Sequence, residues 1–215
     1  MSGRNLLAVP QQPSDRRSLG LAMAVAVLAT SLVCTSACTS MSGPGAKPFE
    51  DCFQGGKAAL EKGQMDKART LLEQAVQRNP RHPYPHFYLG VVYSETGQLE
   101  LAIVAFQRAI DLEPNLPEAF FNMGTIHLQR RELTEAIESL ERAIELRPDH
   151  VPTYNNLGKA YFMAGLAEMA GAAYEEALAR DPRDQVALES LMLLARAAGD
   201  TTAEQEYRAR LAESR

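Results

Sequence analysis

The sequence predicts an all-α solenoid, and three observations predict it. The stretches LLEQAVQRNP, AFQRAIDLEP, SLERAIELRP and AYEEALARDP end at Pro80, Pro114, Pro148 and Pro182, each 34 residues after the one before. With units opened at Phe49, Pro83, Pro117 and Val151, the eighth residue is glycine every time: Gly56, Gly90, Gly124 and Gly158. The twentieth is Ala68, Ala102, Ala136 or Ala170, and the twenty-seventh is Ala75, Ala109, Ala143 or Ala177. Bulky residues keep fixed places between them: Leu89 and Tyr93, Met123 and His127, Leu157 and Tyr161 in first halves, and Leu72, Phe106, Leu140 and Tyr174 in second halves. Such a period marks one supersecondary unit copied and stacked, because a single unit cannot bury its own apolar face and a stack can.

Residues 1–37, ahead of the array, have a different character. MSGRNLLAVPQQPSDRRS carries Arg4, Arg16 and Arg17 against Asp15, and the run from Leu19 to Val33 has no charge. A basic leader, an apolar run of about 7–15 residues and small residues behind it describe a secretory signal peptide. The run is shorter than the roughly 20 residues of a spanning helix, which leaves an uncleaved signal anchor as the second reading. Behind it, TSAC, Thr35 to Cys38, resembles the lipobox of bacterial lipoproteins, in which small residues precede a cysteine that is lipidated and becomes the new N-terminus. Such boxes usually hold Leu three residues before the cysteine, where this chain has Thr35, and Cys34 fits less well because Val33 precedes it. Cleavage after Ala37 or Ala46 by an ordinary signal peptidase is the alternative. The resemblance implies lipidation of Cys38, and each buried acyl methylene stabilises membrane attachment by about 0.8 kcal/mol. With Thr39 after the cysteine, it implies an outer-membrane lipoprotein facing the periplasm of a Gram-negative envelope; soluble export and inner-membrane anchoring are the alternatives. Residues 38–48, rich in Ser, Gly and Pro and without periodicity, read as the lipidated cysteine and a flexible tether.

Within the array, the recurring glycine, alanine, aromatic and proline places resemble the tetratricopeptide repeat, from Phe49 to about Arg215. The resemblance implies two antiparallel helices per unit, wound into a right-handed superhelix: 49–82, 83–116, 117–150 and 151–184, then a degenerate fifth unit or cap over 185–215. Gly and Ala at these places let paired helices approach closely. Gly63, Gly97 and Gly165 suit the left-handed residue that ends each first helix. Arg131 stands there in the third unit, so that turn is expected to be strained or reshaped. The period proline stops each second helix. In the fifth unit, Leu188, Leu191 and Ala195 fit a first helix, and one deletion brings Ala203 and Tyr207 into register in the second. The Glu204, Glu206, Arg208 and Arg210 density gives the wet outer face of a terminal repeat.

Composition and motifs argue against catalysis. The chain of 215 residues carries a net charge of −5 with no basic block, which argues against a nucleic-acid partner. Loss of residues 1–37 would leave 19 basic and 26 acidic residues, a net charge of −7. Cys52 would then be the one cysteine behind Cys38, at a core position that suits an inert buried thiol. His82 and His86 are four apart, but Pro83 and Pro85 break the helix that would align them for a metal. His127 stands at a core place, and Glu138, Glu141 and Glu145 read as a solvated face. No phosphate loop, dinucleotide fingerprint or nucleophile elbow occurs. Neither enzyme activity, a cofactor nor a small-molecule substrate is expected.

A binding surface is expected instead. In tetratricopeptide arrays the first helices line a concave face, and the resemblance assigns ligand contact to the second, fifth, ninth, twelfth and thirteenth places. Phe53, Phe87, Phe121 and Asn155 hold the fifth place, Leu128 and Phe162 the twelfth, Val91 the ninth and Met163 the thirteenth. Two readings of this ladder stand side by side. It lines a groove for an apolar or amphipathic protein segment, or the phenylalanines fill the gap between helices. At the sixth place, Asn122 and Asn156 carry amides that can bond an extended peptide backbone. Val186 and Ser190 occupy places where a carboxylate clamp would need Lys or Arg, so no such clamp is expected. Signal, cysteine, tether and array together resemble the pilotin lipoproteins of type IV pilus systems. That implies an envelope-anchored scaffold; an adaptor for peptidoglycan-remodelling enzymes, or an inner-membrane anchored partner of an enzyme or transporter complex, are the alternatives.

Overall fold

The computed structural model describes residues 48–214. The expected signal peptide, Cys38 and the tether up to residue 47 lie outside the described residues. Ten helices follow one another: α1 (Phe49–Glu61), α2 (Met65–Arg78), α3 (Pro83–Glu95), α4 (Leu99–Leu112), α5 (Pro117–Arg130), α6 (Leu133–Leu146), α7 (Val151–Met163), α8 (Ala167–Arg180), α9 (Gln185–Ala198) and α10 (Thr201–Glu213). Among the described residues there is no strand. Each helix packs on the next along the chain, and the first helices α3, α5 and α7 also touch in succession. The fold is an all-α solenoid of five helix pairs.

Local chemistry sets the helix ends. Proline occupies the first turn of α3, α5 and α7, where its missing N–H has no intrahelical role. The second helices end two residues before the period proline. Asn79, Glu113, Arg147 and Asp181 all leave the helical region, with φ between −142° and −130°, because the following proline ring excludes α backbone there. First helices in the first, second and fourth pairs end in a turn through Gly63, Gly97 and Gly165 at positive φ. Arg131 keeps the same left-handed turn at φ 62°, so the third pair carries a strained residue rather than a reshaped loop. Ion pairs flank it: Arg130 meets Glu132 at 2.9 Å and reaches Glu100 of α4 at 3.0 Å.

In each of the first four pairs the tight contact lies at the eighth place, where the fifth pair has Met192 instead. A Cβ built on Gly56, Gly90, Gly124 or Gly158 would stand 2.7 Å from Leu72, Phe106, Leu140 or Tyr174 respectively. Those four side chains are buried, as are the alanines of the twentieth and twenty-seventh places. Each of these pairs is thus a bulky side chain of the second helix seated in a notch of the first, with alanines letting the backbones close around it.

The fifth pair departs from this scheme at its ends. Asp184 and Asp200 cap α9 and α10 with their carboxylates, which no cap residue does in the first eight helices. Ala203 and Tyr207 face inward, both half-buried, and the Tyr207 hydroxyl donates to Glu175 of α8. Only Leu211 of α10 is fully buried; Glu204, expected on the wet outer face, is instead 16% exposed and joins α9 to α10 through Arg196 at 2.7 Å, also meeting Arg208 at 2.6 Å, while Glu206 and Arg208 are exposed as expected. Gly90→Ala is expected to lower unfolding stability by about 1–3 kcal/mol, because the ring of Phe106 must leave its rotamer; chemical denaturation of the two proteins measures the difference.

Candidate interaction surface

The phenylalanine ladder is core. Phe53, Phe87 and Phe121 are buried, so they do not line an open groove, and the gap-filling reading holds for them. The reason is the loop that joins consecutive pairs. It folds back over the first turn of the preceding first helix and brings the last residue of the unit against the fifth. Phe53 meets the ring of His82 at 5.6 Å, and Phe121 meets His150 edge-on at 5.0 Å. In the second unit Phe87 and Leu116 are both buried in one cluster. In the fourth unit the same two places change character together: Asn155 donates to Asp184 at 2.8 Å. Further rings close the N-terminal end, with Phe49 on Phe53 at 5.8 Å and Phe87 on Phe106 at 5.5 Å.

The amides of the sixth place are also taken up between units. Asn156 donates to Thr125 of α5 at 2.9 Å, and the Thr125 hydroxyl donates to the Phe121 carbonyl. Asn122 is fully buried, and Val91 and Leu128 are buried with it. Asn156 with Thr125, like Asn155 with Asp184, joins neighbouring pairs, and with Asn122, Val91 and Leu128 buried no row of amides faces a ligand. Even the second place of the third pair is closed, since Glu118 is buried in an ion pair with Arg147.

Phe162 remains open. It is 56% exposed at the end of α7, and Met163 beside it is half-buried. Two residues of α9 share its character: Val186 and Leu193 are 54% and 55% exposed and, seven apart, lie on one face of that helix. Phe162, Leu193, Leu194, Ser190 and Tyr174 line an apolar notch of about 80 Å³ where the fourth and fifth pairs meet. Sequence reasoning missed Leu193, and took Val186 only as the lack of a basic residue. The signal was present, since they fill the second and ninth places of the fifth unit.

Titratable groups carry structural roles. His127, half-buried, shares a 2.7 Å hydrogen bond with Glu132, and that bond, ahead of the opposing effect of burial and the help of Arg130, holds the Glu132 carboxyl below its usual value. Cys52 is buried, with its sulfur 3.6 Å from Gln74 Oε1. His86 sits 3.0 Å from the Pro80 carbonyl, while His82 packs on Phe49; the two do not converge. Among the described residues no group of three His, Cys, Asp or Glu side chains is placed to hold a metal.

Models of the tetratricopeptide repeat match residues 53–117 and 151–184, and a further model, described as TPR repeat, matches 124–165. Comparison with curated protein sequences finds no significant match. Solved structures share the fold at low identity. A MamA protein is 24% identical at TM-score 0.71, covering 77% of this chain and 91% of its own. A MamA fragment from Desulfovibrio magneticus RS-1 is 20% identical at TM-score 0.72, with 77% and 94% covered. PilF of Pseudomonas aeruginosa is 19% identical at TM-score 0.70, with 78% and 76% covered.

The burial contrast sets a direct test. Phe87→Ser is expected to cost about 3–5 kcal/mol of stability and Phe162→Ser less than about 0.5 kcal/mol, read by thermal and urea unfolding. A pH dependence follows from the loop histidines. Burial, ahead of nearby charges, lowers the pKa of His82 and His150 from 6.5. Below 6.5 the unfolded chain therefore binds protons that the folded chain refuses. Stability is expected to be full above 6.5 and to fall with pH towards the folded values; His82→Leu should flatten part of that slope in melts across the range.

Proposed function

The chain belongs to the tetratricopeptide repeat family, and on that premise we propose that it is a non-enzymatic interaction scaffold held in a bacterial envelope by a lipid on Cys38. Its partner is a protein segment with an apolar or amphipathic face, received at the notch around Phe162, Val186 and Leu193. The single observation that carries the binding reading is this group of exposed apolar side chains on two successive first helices, in a solenoid whose fifth places are buried in the first four units. Grouped exposed apolar side chains beside a concavity favour association, since burying each stabilises a complex by roughly 1.5–3 kcal/mol before the cost of ordering.

The envelope reading rests on the leader, the TSAC box and the tether. The lipid would fix one end of the chain at the bilayer, and the tether would let the array search for its partner close to the surface. The resemblance in architecture to pilotin lipoproteins makes assistance to an outer-membrane or pilus assembly the favoured task, from the periplasmic side of the outer membrane. Under this reading the fold supplies rigid spacing and a docking face, and no chemistry.

Intact mass and membrane partition of the chain from its native host, with Cys38→Ala alongside, test the anchor. An acylated N-terminal Cys38, and release of the variant from membranes, are expected. A mature start at another residue without lipid, or an uncleaved form retained in membranes, would remove the lipoprotein reading. For the notch, Phe162→Ser with Leu193→Ser is expected to abolish cross-linking to its partner while the melting curve stays in place.

A further inference from the structure

We propose that the second-helix side of the array carries another docking cleft, between α6 and α8, that takes a basic amphipathic peptide segment of a partner protein. The cleft measures about 470 Å³, within the ~300–1,000 Å³ over which pockets engage a bound group. Leu157, Tyr154 and Tyr161 of α7 line it with Ile144 of α6 and Ala173 of α8, and the Arg180 guanidinium covers the Tyr154 ring at 4.0 Å, which leaves Leu157, Ile144 and Ala173 as its apolar floor. Met169, 46% exposed, stands at the mouth, where a flexible thioether adapts to varied partners. An adjacent pair of alanines, Ala172 and Ala173, makes the room. The matching places hold Val104 and Ala105 in α4, and Glu138 and Ser139 in α6.

The charge around the cleft selects the occupant. Helices α6 and α8 carry seven glutamates against two arginines, so a basic segment is favoured and an acidic one repelled. Glu141, Glu145 and Glu176 stand on the rim. Glu145 and Glu176 meet Arg142 and Arg180 at their exposed tips, at 2.5 and 2.6 Å. Glu141 is held differently. It accepts a 2.6 Å hydrogen bond from the Tyr161 hydroxyl, and among the described residues no ion pair neutralises it. The Tyr161 phenol thus holds the Glu141 carboxylate at the rim of the cleft. A leucine-sized side chain on the floor with a lysine or arginine one helical turn away satisfies both features. This cleft shares no lining residue with the Phe162 notch, and the two readings stand or fall separately.

The test selects a displayed library of random peptides on the full chain, with Ala172→Arg as counter-target. That substitution plugs the mouth with a long cation at an exposed helical site and leaves the core untouched. Enriched peptides are expected to carry aliphatic or aromatic residues flanked by Lys or Arg. They are expected to bind Ala172→Arg about tenfold or more weakly, to lose several-fold with Glu141→Gln, and to bind Phe162→Ser unchanged. Peptides that bind Ala172→Arg as tightly as the parent, or that prove acidic, would overturn the proposal. So would a concentration-dependent dimer in sedimentation that Ala172→Arg abolishes, because the occupant would then be a second copy of the chain.

Discussion

Everything in this molecule depends on one contact: a bulky side chain seated on a glycine. Leu72, Phe106, Leu140 and Tyr174 each occupy the space where a Cβ on Gly56, Gly90, Gly124 or Gly158 would stand. The contact sets the separation and angle of the two helices in a pair, because close-packed interiors have no slack to absorb a methyl group. The alanines on either side follow from it, since any larger side chain would push the helices apart. Repeating the contact with a constant spacing makes the pairs alike, and pairs that are alike stack into a solenoid with one continuous core.

The second constraint joins one pair to the next. The loop after each second helix folds its last residue onto the fifth place of the same unit, as His82 on Phe53, His150 on Phe121 and Asp184 on Asn155. The side chain at that place is therefore committed to holding the loop. In the first three units the lock is apolar or aromatic. In the fourth it is polar, and the same Asp184 carboxylate also caps α9 by accepting from the Ala187 amide at 2.8 Å. The change from ring to amide at Asn155 is thus a change of lock, made where the array passes into its capping pair. The tyrosines show the same logic of half-buried polar tips. Tyr88, Tyr161 and Tyr207 have phenol pKa values pushed up to about 12, first by burial and then by nearby carboxylates, and Tyr161 and Tyr207 donate to Glu141 and Glu175.

These two constraints decide where binding can occur. The fifth place of the first four units, which a repeat array can turn towards a ligand, is used here to hold the inter-pair loop, and Asn156 at the sixth place joins its unit to the one before. What stays open lies where the pattern loosens: at Phe162 beside the capping pair, and at the alanine pair of α8. Both openings flank the fourth unit, and they lie on different sides of it. A scaffold of this kind gains its partner sites from departures in the repeat, while the repeat itself supplies stiffness.

The all-α array and its recurring glycine and alanine places were legible in the sequence. They were legible because a contact repeated along the chain imposes the same residue type at the same interval, and the interval can be read without coordinates. The left-handed turn at Arg131 was half legible: its departure from glycine was plain, but that the chain keeps the turn at φ 62° is seen only in the structure. The site was least legible. Phe87 and Phe162 are the same residue type in first helices, and periodicity alone does not tell a lining residue from one that fills the gap between helices. Tertiary structure separates them, because exposure is set by what the inter-pair loop covers, and Phe87 lies beneath that cover while Phe162 lies beyond it. The sequence by itself determined a solenoid of paired helices, since repetition encodes contacts within a unit. Only the tertiary structure decided which faces stay open, since that depends on how one unit closes over the next.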